Sequence, residues 1–218
     1  MSQNNHLGFV HRFEAATQPG APALMLLHGS GGDEASLLAV GRAIAPGAAL
    51  LSPRGNATDH GTPRFFARPD HSSDAAAEVQ ARILELAAFA RAAAQHYQFA
   101  APPLLVGFSN GATMALLLLL YSRMKWPGAI LMRGMGADHH YPVTPLLATP
   151  VLILSGIQDP LVQTDQVQEL ANQLRDAGAE VTLHWEETGH HMSQGDLLMA
   201  FDWIRRFYHL PRPATITQ

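Results

Sequence analysis

Six short apolar runs punctuate the chain, at residues 23–27, 48–51, 104–108, 129–132, 151–154 and 181–185. Each is four or five residues long, and as a set they lack clear in-out alternation, the pattern of strands buried on both faces of a parallel sheet. Between them, residues near 34–45, 74–96, 110–124, 164–177 and 193–208 have helical spacing. The second of these is clearest: Val79, Ile83, Leu86 and Phe89 fall on one stripe, with Ser73 or Asp74 placed to cap it. Strand–helix alternation of this kind predicts an α/β fold, with a mostly parallel central sheet covered by helices on both faces. Neither a repeat nor a linker interrupts it, so residues 1–218 read as one domain, with 210–218 a loose tail carrying two prolines. The longest irregular stretch, 53–72, exceeds an ordinary connection and is therefore a site candidate.

Composition narrows the chemistry. The formal charge is −4, from 14 Lys+Arg against 18 Asp+Glu, which disfavours a general nucleic-acid binder because phosphate contact relies on basic patches. With 47% hydrophobic and 15% charged residues, the chain has the opposite balance to a disordered one. Cysteine is absent, which removes disulfides, thiolate metal sites and cysteine nucleophiles together. Lys125 is the only lysine and the only Schiff-base candidate. The most apolar run, 112–121, is ten residues long where a membrane span needs about 20, so it reads as a core helix. The first six residues, Met1 to His6, carry neither a basic nor an apolar signal region, which makes the cytoplasm the expected address.

The strongest motif is Gly107-Phe108-Ser109-Asn110-Gly111, between the apolar run at 104–106 and the helix at 112–121. This is the strand–turn–helix setting of the G-x-S-x-G nucleophile elbow, in which a strained turn projects the serine hydroxyl clear of the sheet. Glycines two residues either side remove Cβ atoms that would strike neighbouring backbone. A nucleophilic serine needs an orienting acid and a base, which follow it in that order in α/β-hydrolases. Asp159, in Ser155-Gly156-Ile157-Gln158-Asp159-Pro160, lies just past one strand, and His190 lies on the loop after the last one. His191 adjoins it. Consecutive extended residues face opposite ways, so one of the two reaches Ser109, and Gly189 is expected to permit the turn that brings His190 there. The early loop His28-Gly29-Ser30-Gly31-Gly32-Asp33 can aim backbone N–H groups at an oxyanion, with Ser30 and Asn110 as the expected pair. The Lys-Ser/Thr of a phosphate-binding loop is missing.

These segments, with Ser52-Pro53-Arg54-Gly55-Asn56, Gly61-Thr62-Pro63-Arg64-Phe65-Phe66 and Asp159-Pro160-Leu161-Val162, resemble the compact carboxylesterase/phospholipase branch of the α/β-hydrolase superfamily. Within it, the chain is similar to small bacterial hydrolases associated with hydroquinone and copper stress. The resemblance spans 24–208 and implies an α/β-hydrolase fold without a large lid domain. It also implies Ser109 as nucleophile, Asp159 as acid, His190 as base and Ser30 with Asn110 as oxyanion donors. Arg54, Arg64, Phe65 and Phe66 are placed beside the site, either choosing substrate or, for the arginines, holding the loop through backbone carbonyls. The chain departs from its relatives after Arg68, where it reads Pro69-Asp70-His71-Ser72-Ser73-Asp74, and again at His191.

The expected activity is hydrolysis of small or flexible carboxylic esters through an acyl-enzyme, with no cofactor and no metal. The same triad would serve an acyl-protein thioesterase or lysophospholipase, and a non-catalytic sensor would need that triad broken. His139-His140 and His190-His191 match no metal-ligand spacing, and His139-His140-Tyr141-Pro142 reads as a polar loop. A small-molecule ester is the expected partner, and a homodimer is the assembly that the commonest oligomer symmetry would give.

Overall fold

A computed structural model describes residues 7–67, 73–136 and 143–208, the side chains of Ser73 and Asp74 excepted. In chain order its elements are β1 (His11–Glu14), β2 (Leu24–Leu27), α1 (Leu38–Ile44), β3 (Leu50–Pro53), β4 (Ala57–Asp59), β5 (Thr62–Arg64) and α2 (Ser73–His96). They continue with β6 (Leu104–Phe108), α3 (Asn110–Tyr121), β7 (Ala129–Met132), β8 (Pro150–Gly156), α4 (Thr164–Asp176), β9 (Glu180–Glu186) and α5 (Gln194–Phe207). Seven strands form one sheet in the order β1-β3-β2-β6-β7-β8-β9, parallel throughout except for β1, which runs antiparallel to β3.

Side chains alternate across this sheet, and both faces are dry. Met25, Leu27, Leu105, Leu131 and Ile153 pack under α2, α3 and α4. Leu24, Leu26, Val106, Ile130 and Leu152 face α1 and α5. That double burial is why five of the six runs read as continuous apolar stretches; the sixth, at 181–185, is edge strand β9, which is only partly buried and packs Val181, Leu183 and Trp185 on one face. Helix α3 lies against the middle of the sheet and its residues 110–120 are all buried, which explains an apolar segment too short for a membrane. Among the described residues, no helix is long and apolar enough to cross one.

The structure adds three strands to the six expected. Strand β1, His-Arg-Phe-Glu, is a polar edge strand, and an edge needs no apolar run. Its Phe13 stacks on Tyr97 with ring centroids 3.8 Å apart. Within the irregular stretch at 53–72, β4 and β5 form a hairpin whose two loop residues, His60 and Gly61, have φ of 49° and 80°. Positive φ at both places is the type I′ turn, whose twist matches that of the strands. Helix α1 begins at Leu38 rather than 34, because Asp33 captures the Ala35 N–H and the Ser36 hydroxyl and holds a turn instead. Helix α3 ends at Tyr121 rather than 124, with the Ser122 hydroxyl donating back to the Leu118 carbonyl and Arg123 at φ 56°. The departure at 69–72, the loop at His139-His140-Tyr141-Pro142, the first six residues and the tail at 210–218 lie outside the described residues.

Candidate active site

The fold gathers its chemistry at the carboxyl ends of the parallel strands. Ser109 is the single residue between β6 and α3, with φ 53° and ψ −118°. A non-glycine residue there carries strain of about 1–3 kcal/mol, held in place by its surroundings. The Ser109 N–H donates to the Met132 carbonyl at 2.9 Å, and its own carbonyl receives the Ala112 and Thr113 N–H groups. The flanking glycines are sterically required: a Cβ on Gly107 would fall on the Gly111 carbonyl, and one on Gly111 would fall on that of Leu27.

Asp159 and His190 hang from the loops after β8 and β9. Asp159 Oδ1 accepts the Leu161 and Val162 N–H groups at 2.8 and 3.2 Å, so one carboxylate oxygen is fixed by backbone. The other, Oδ2, lies 2.7 Å from His190 Nδ1. A carboxylate can only accept, so Nδ1 carries the proton and Nε2 is left as an acceptor. Nε2 lies 2.9 Å from Ser109 Oγ, whose hydroxyl therefore donates to it. The neighbouring His191 is exposed, with Nε2 2.8 Å from the Thr188 hydroxyl. Gly189 does not do what the sequence suggested: its φ is not positive, and a Cβ there would make only ordinary contacts. The close approach is made by Gly156, whose Cβ would fall on the Thr188 carbonyl.

The loop after β2 adjoins the elbow, since a Cβ on Gly29 would meet the Phe108 ring and one on Gly111 would fall on the Leu27 and His28 carbonyls. Ser30 is exposed, and among the described residues neither its N–H nor that of Asn110 has a hydrogen-bond partner. The Asn110 side chain faces away, accepting the Phe65 N–H at 2.8 Å and donating to the Phe66 carbonyl. Phe65 and Phe66 are buried, and the Phe65 ring lies 4.7 Å from that of His28. Arg54 makes a two-pronged pair with buried Glu34, at 2.6 and 3.0 Å. Burial pushes the Glu34 carboxyl up, but the Arg54 bonds, its own amide and the Arg54 charge outweigh that and hold it below its ordinary value. Arg64 donates to the Phe66 carbonyl at 3.3 Å and stands 3.5 Å from Asp59. The four residues named beside the site are thus tied into its scaffold.

Three contributors have no role in the motifs that mark the site in the sequence. His28 reads in the sequence only as part of a glycine loop, yet its buried ring joins that loop to the one after β3. Nε2 accepts the Gly55 N–H at 3.0 Å, so Nδ1 donates to the Gly29 carbonyl at 2.7 Å. Burial is the largest influence on this imidazole and pulls its pKa down, over the opposing pull of the Gly29 bond and of Asp33 and Glu34. Arg133 and Asp196, both fully buried, form an ion pair at 2.6 Å beneath the histidine loop. The signal for Arg133 was a charge closing an apolar strand, Ala129-Ile130-Leu131-Met132-Arg133. Among the described residues, no three His, Asp or Glu side chains converge as metal ligands. An open concavity of about 600 Å³, lined by Arg91, Gln95, Phe99, Pro102 and Met124, lies at the opposite end of β6 from Ser109.

Known proteins are similar to this chain over nearly its whole length. The family described as Phospholipase/Carboxylesterase matches residues 10–206. MhqD of Bacillus subtilis (strain 168) is 36% identical over 196 residues, covering 89% of this chain and 97% of that one. The crystal structure of the Bacillus cereus carboxylesterase superimposes with a TM-score of 0.87 at 33% identity, over 94% of this chain and 97% of that one. A carboxylesterase from Mesorhizobium loti gives 0.85 at 30%, over 93% and 97%. The fold is therefore the α/β-hydrolase fold without a large lid, and the chain belongs to the phospholipase/carboxylesterase family of hydrolases.

Proposed function

We propose that the chain, acting as a single domain, is a serine carboxylesterase that cleaves small or flexible carboxylic esters through an acyl-enzyme. One observation carries this reading: an unbroken line of hydrogen bonds from Asp159 through His190 to Ser109, at 2.7 and 2.9 Å, ending on a serine held in a strained turn. In the first step His190 Nε2 takes the Ser109 proton as Oγ attacks the ester carbonyl, and Asp159 stabilises the imidazolium. The new oxyanion is met by the Ser30 and Asn110 N–H groups, which have no other partner among the described residues to give up. The imidazolium returns its proton to the leaving alcohol, and water, activated by the same base, then releases the acid. Arg54 and Arg64 act on this chemistry by holding the loops that shape the cleft.

The test combines a p-nitrophenyl ester series of increasing acyl length with a fluorophosphonate probe. The wild type is expected to turn over short esters best and to be labelled at Ser109, and Ser109→Ala to be unlabelled. His190→Ala should lose about 10³-fold or more in kcat, and His191→Ala about tenfold or less. Equal labelling of Ser109→Ala, or a larger loss at His191, would overturn the assignment. A clear optimum at long acyl chains would move the substrate class towards lipids or acylated proteins.

A further inference from the structure

Arg133 follows β7 with φ 54°, its side chain entirely out of solvent. A guanidinium has five N–H donors in a rigid plane, and here all five are engaged. Nε donates to the Gly189 carbonyl at 3.1 Å, and Nη2 to the His191 carbonyl at 2.9 Å and to Asp196 Oδ2 at 2.6 Å. Nη1 donates to the Leu154 carbonyl and to Asp196 Oδ1, both at 3.0 Å. The Leu154 carbonyl also takes the Arg133 backbone N–H at 2.8 Å, so this residue is bound twice to β8, the strand that leads to Asp159. Asp196 is fixed in turn, since its Oδ2 accepts the Ser193 N–H and its own N–H donates to the Ser193 hydroxyl, a capping box that starts α5.

We propose that Arg133, anchored by Asp196, is the positioning residue for His190; this rests on His190 being the base. Gly189 and His191 are the residues immediately before and after it, and Arg133 grips the carbonyls of both. The imidazole is thereby suspended between two fixed peptide groups. The same guanidinium ties that loop to the strand carrying the acid and to the helix that follows the loop. Burying a charge pair is a poor way to gain stability, because apolar replacements of similar volume often serve as well. What an apolar side chain cannot supply is a planar fork reaching three carbonyls and a carboxylate at once, and lysine, a point donor, reaches fewer.

The test compares the full-length wild type with Arg133→Lys and with Arg133→Met/Asp196→Asn. The double variant removes both charges, leaving neither orphaned, and keeps an acceptor for the Ser193 N–H. Each is melted by circular dichroism and assayed on p-nitrophenyl butyrate well below its Tm, and the rate constant of fluorophosphonate labelling at Ser109 is measured. Loss of loop register of about 1 Å is expected to cost about 10²-fold. For the folded double variant, kcat and the labelling rate should therefore fall together by about that factor. KM should stay within about threefold of wild type, and Arg133→Lys should lie between the two. A merely structural pair would lower Tm and leave kcat and labelling of the folded protein unchanged, which overturns the proposal. So would failure of both variants to fold, which would make the pair a folding element. If the wild type itself neither hydrolyses esters nor labels at Ser109, it is the esterase reading that falls.

Discussion

Arg54 tests whether the loop beside Ser109 is a recognition surface or a truss. Its guanidinium meets Glu34 through two bonds of 2.6 and 3.0 Å, with the Glu34 side chain 2% exposed and that of Arg54 39% exposed. A hydrogen bond to a charged group is worth about 1.5–3 kcal/mol. Solvent screening on the Arg54 side places this pair in the lower part of that range, at about 1.5–2 kcal/mol. For a chain of this length each kcal/mol moves Tm by about 2–4 °C, so Arg54→Ala should melt about 3–8 °C lower at pH 7. Activity on every ester should fall by one common factor, because the defect is in the position of the loop and not in a contact with the acyl group. The pH dependence carries a sign. Glu34 is held below its ordinary pKa in the folded protein, so its stabilising share is complete above the unfolded value of about 4.3 and is lost as pH falls through the folded one. In Arg54→Ala burial is the largest influence left on Glu34 and raises its pKa, so the Tm gap between wild type and variant should be widest at pH 7 and close as pH falls towards the folded wild-type value. An unchanged Tm together with a reordered ester preference would refute this reasoning and make Arg54 a substrate contact.

Gly111→Ala puts a methyl on the Leu27 carbonyl, which belongs to a central strand and cannot retreat, so soluble yield or Tm should collapse. Among the described residues, Gly136→Ala meets nothing nearer than the Gln173 side chain at 4.0 Å and should melt as the wild type does; equal behaviour of the two variants would refute the close approach. The buried His28 imidazole has a lowered pKa, so the stability it contributes is whole above its ordinary value near 6.5 and is withdrawn as pH falls below that. Melts between pH 7.5 and 5.5 should slope less steeply for His28→Phe than for wild type, and parallel slopes would show that the ring does not titrate against folding.

Much of this site could be read from the chain because the elbow is a local device. A buried strand, a serine and two glycines at fixed spacing fall within the segment 104–111, and the steric reason for each glycine acts between near neighbours or adjacent strands. The meeting of Asp159 and His190 with Ser109 could be read for a related reason, since the parallel sheet sends each loop after a strand to the same edge. What the sequence obscured were elements with no apolar signature. Strand β1 is an edge strand of His, Arg, Phe and Glu, and the β4–β5 hairpin is announced only by His60-Gly61, a weaker signal than Asn-Gly. Strand β9 differs in the other sense: Val181, Leu183 and Trp185 pack on one face as expected of an edge, although the run predicts burial on both.

Arg133 shows a deeper limit. Three of its four partners are backbone carbonyls, at Leu154, Gly189 and His191, and a carbonyl is present at every residue, so nothing in the sequence marks which ones are used. Only Asp196, 63 positions away, has a side chain that could have betrayed the contact. The strain at Ser109 has the same character, since its φ of 53° is imposed by what surrounds the turn and leaves no trace in the residue itself. Residue identity thus marks the groups proposed to react, while those proposed to aim them act largely through the main chain. If Ser109, Asp159 and His190 act as proposed, a substitution at Arg133 that spares all three should still lower activity, because it releases the carbonyls on either side of His190.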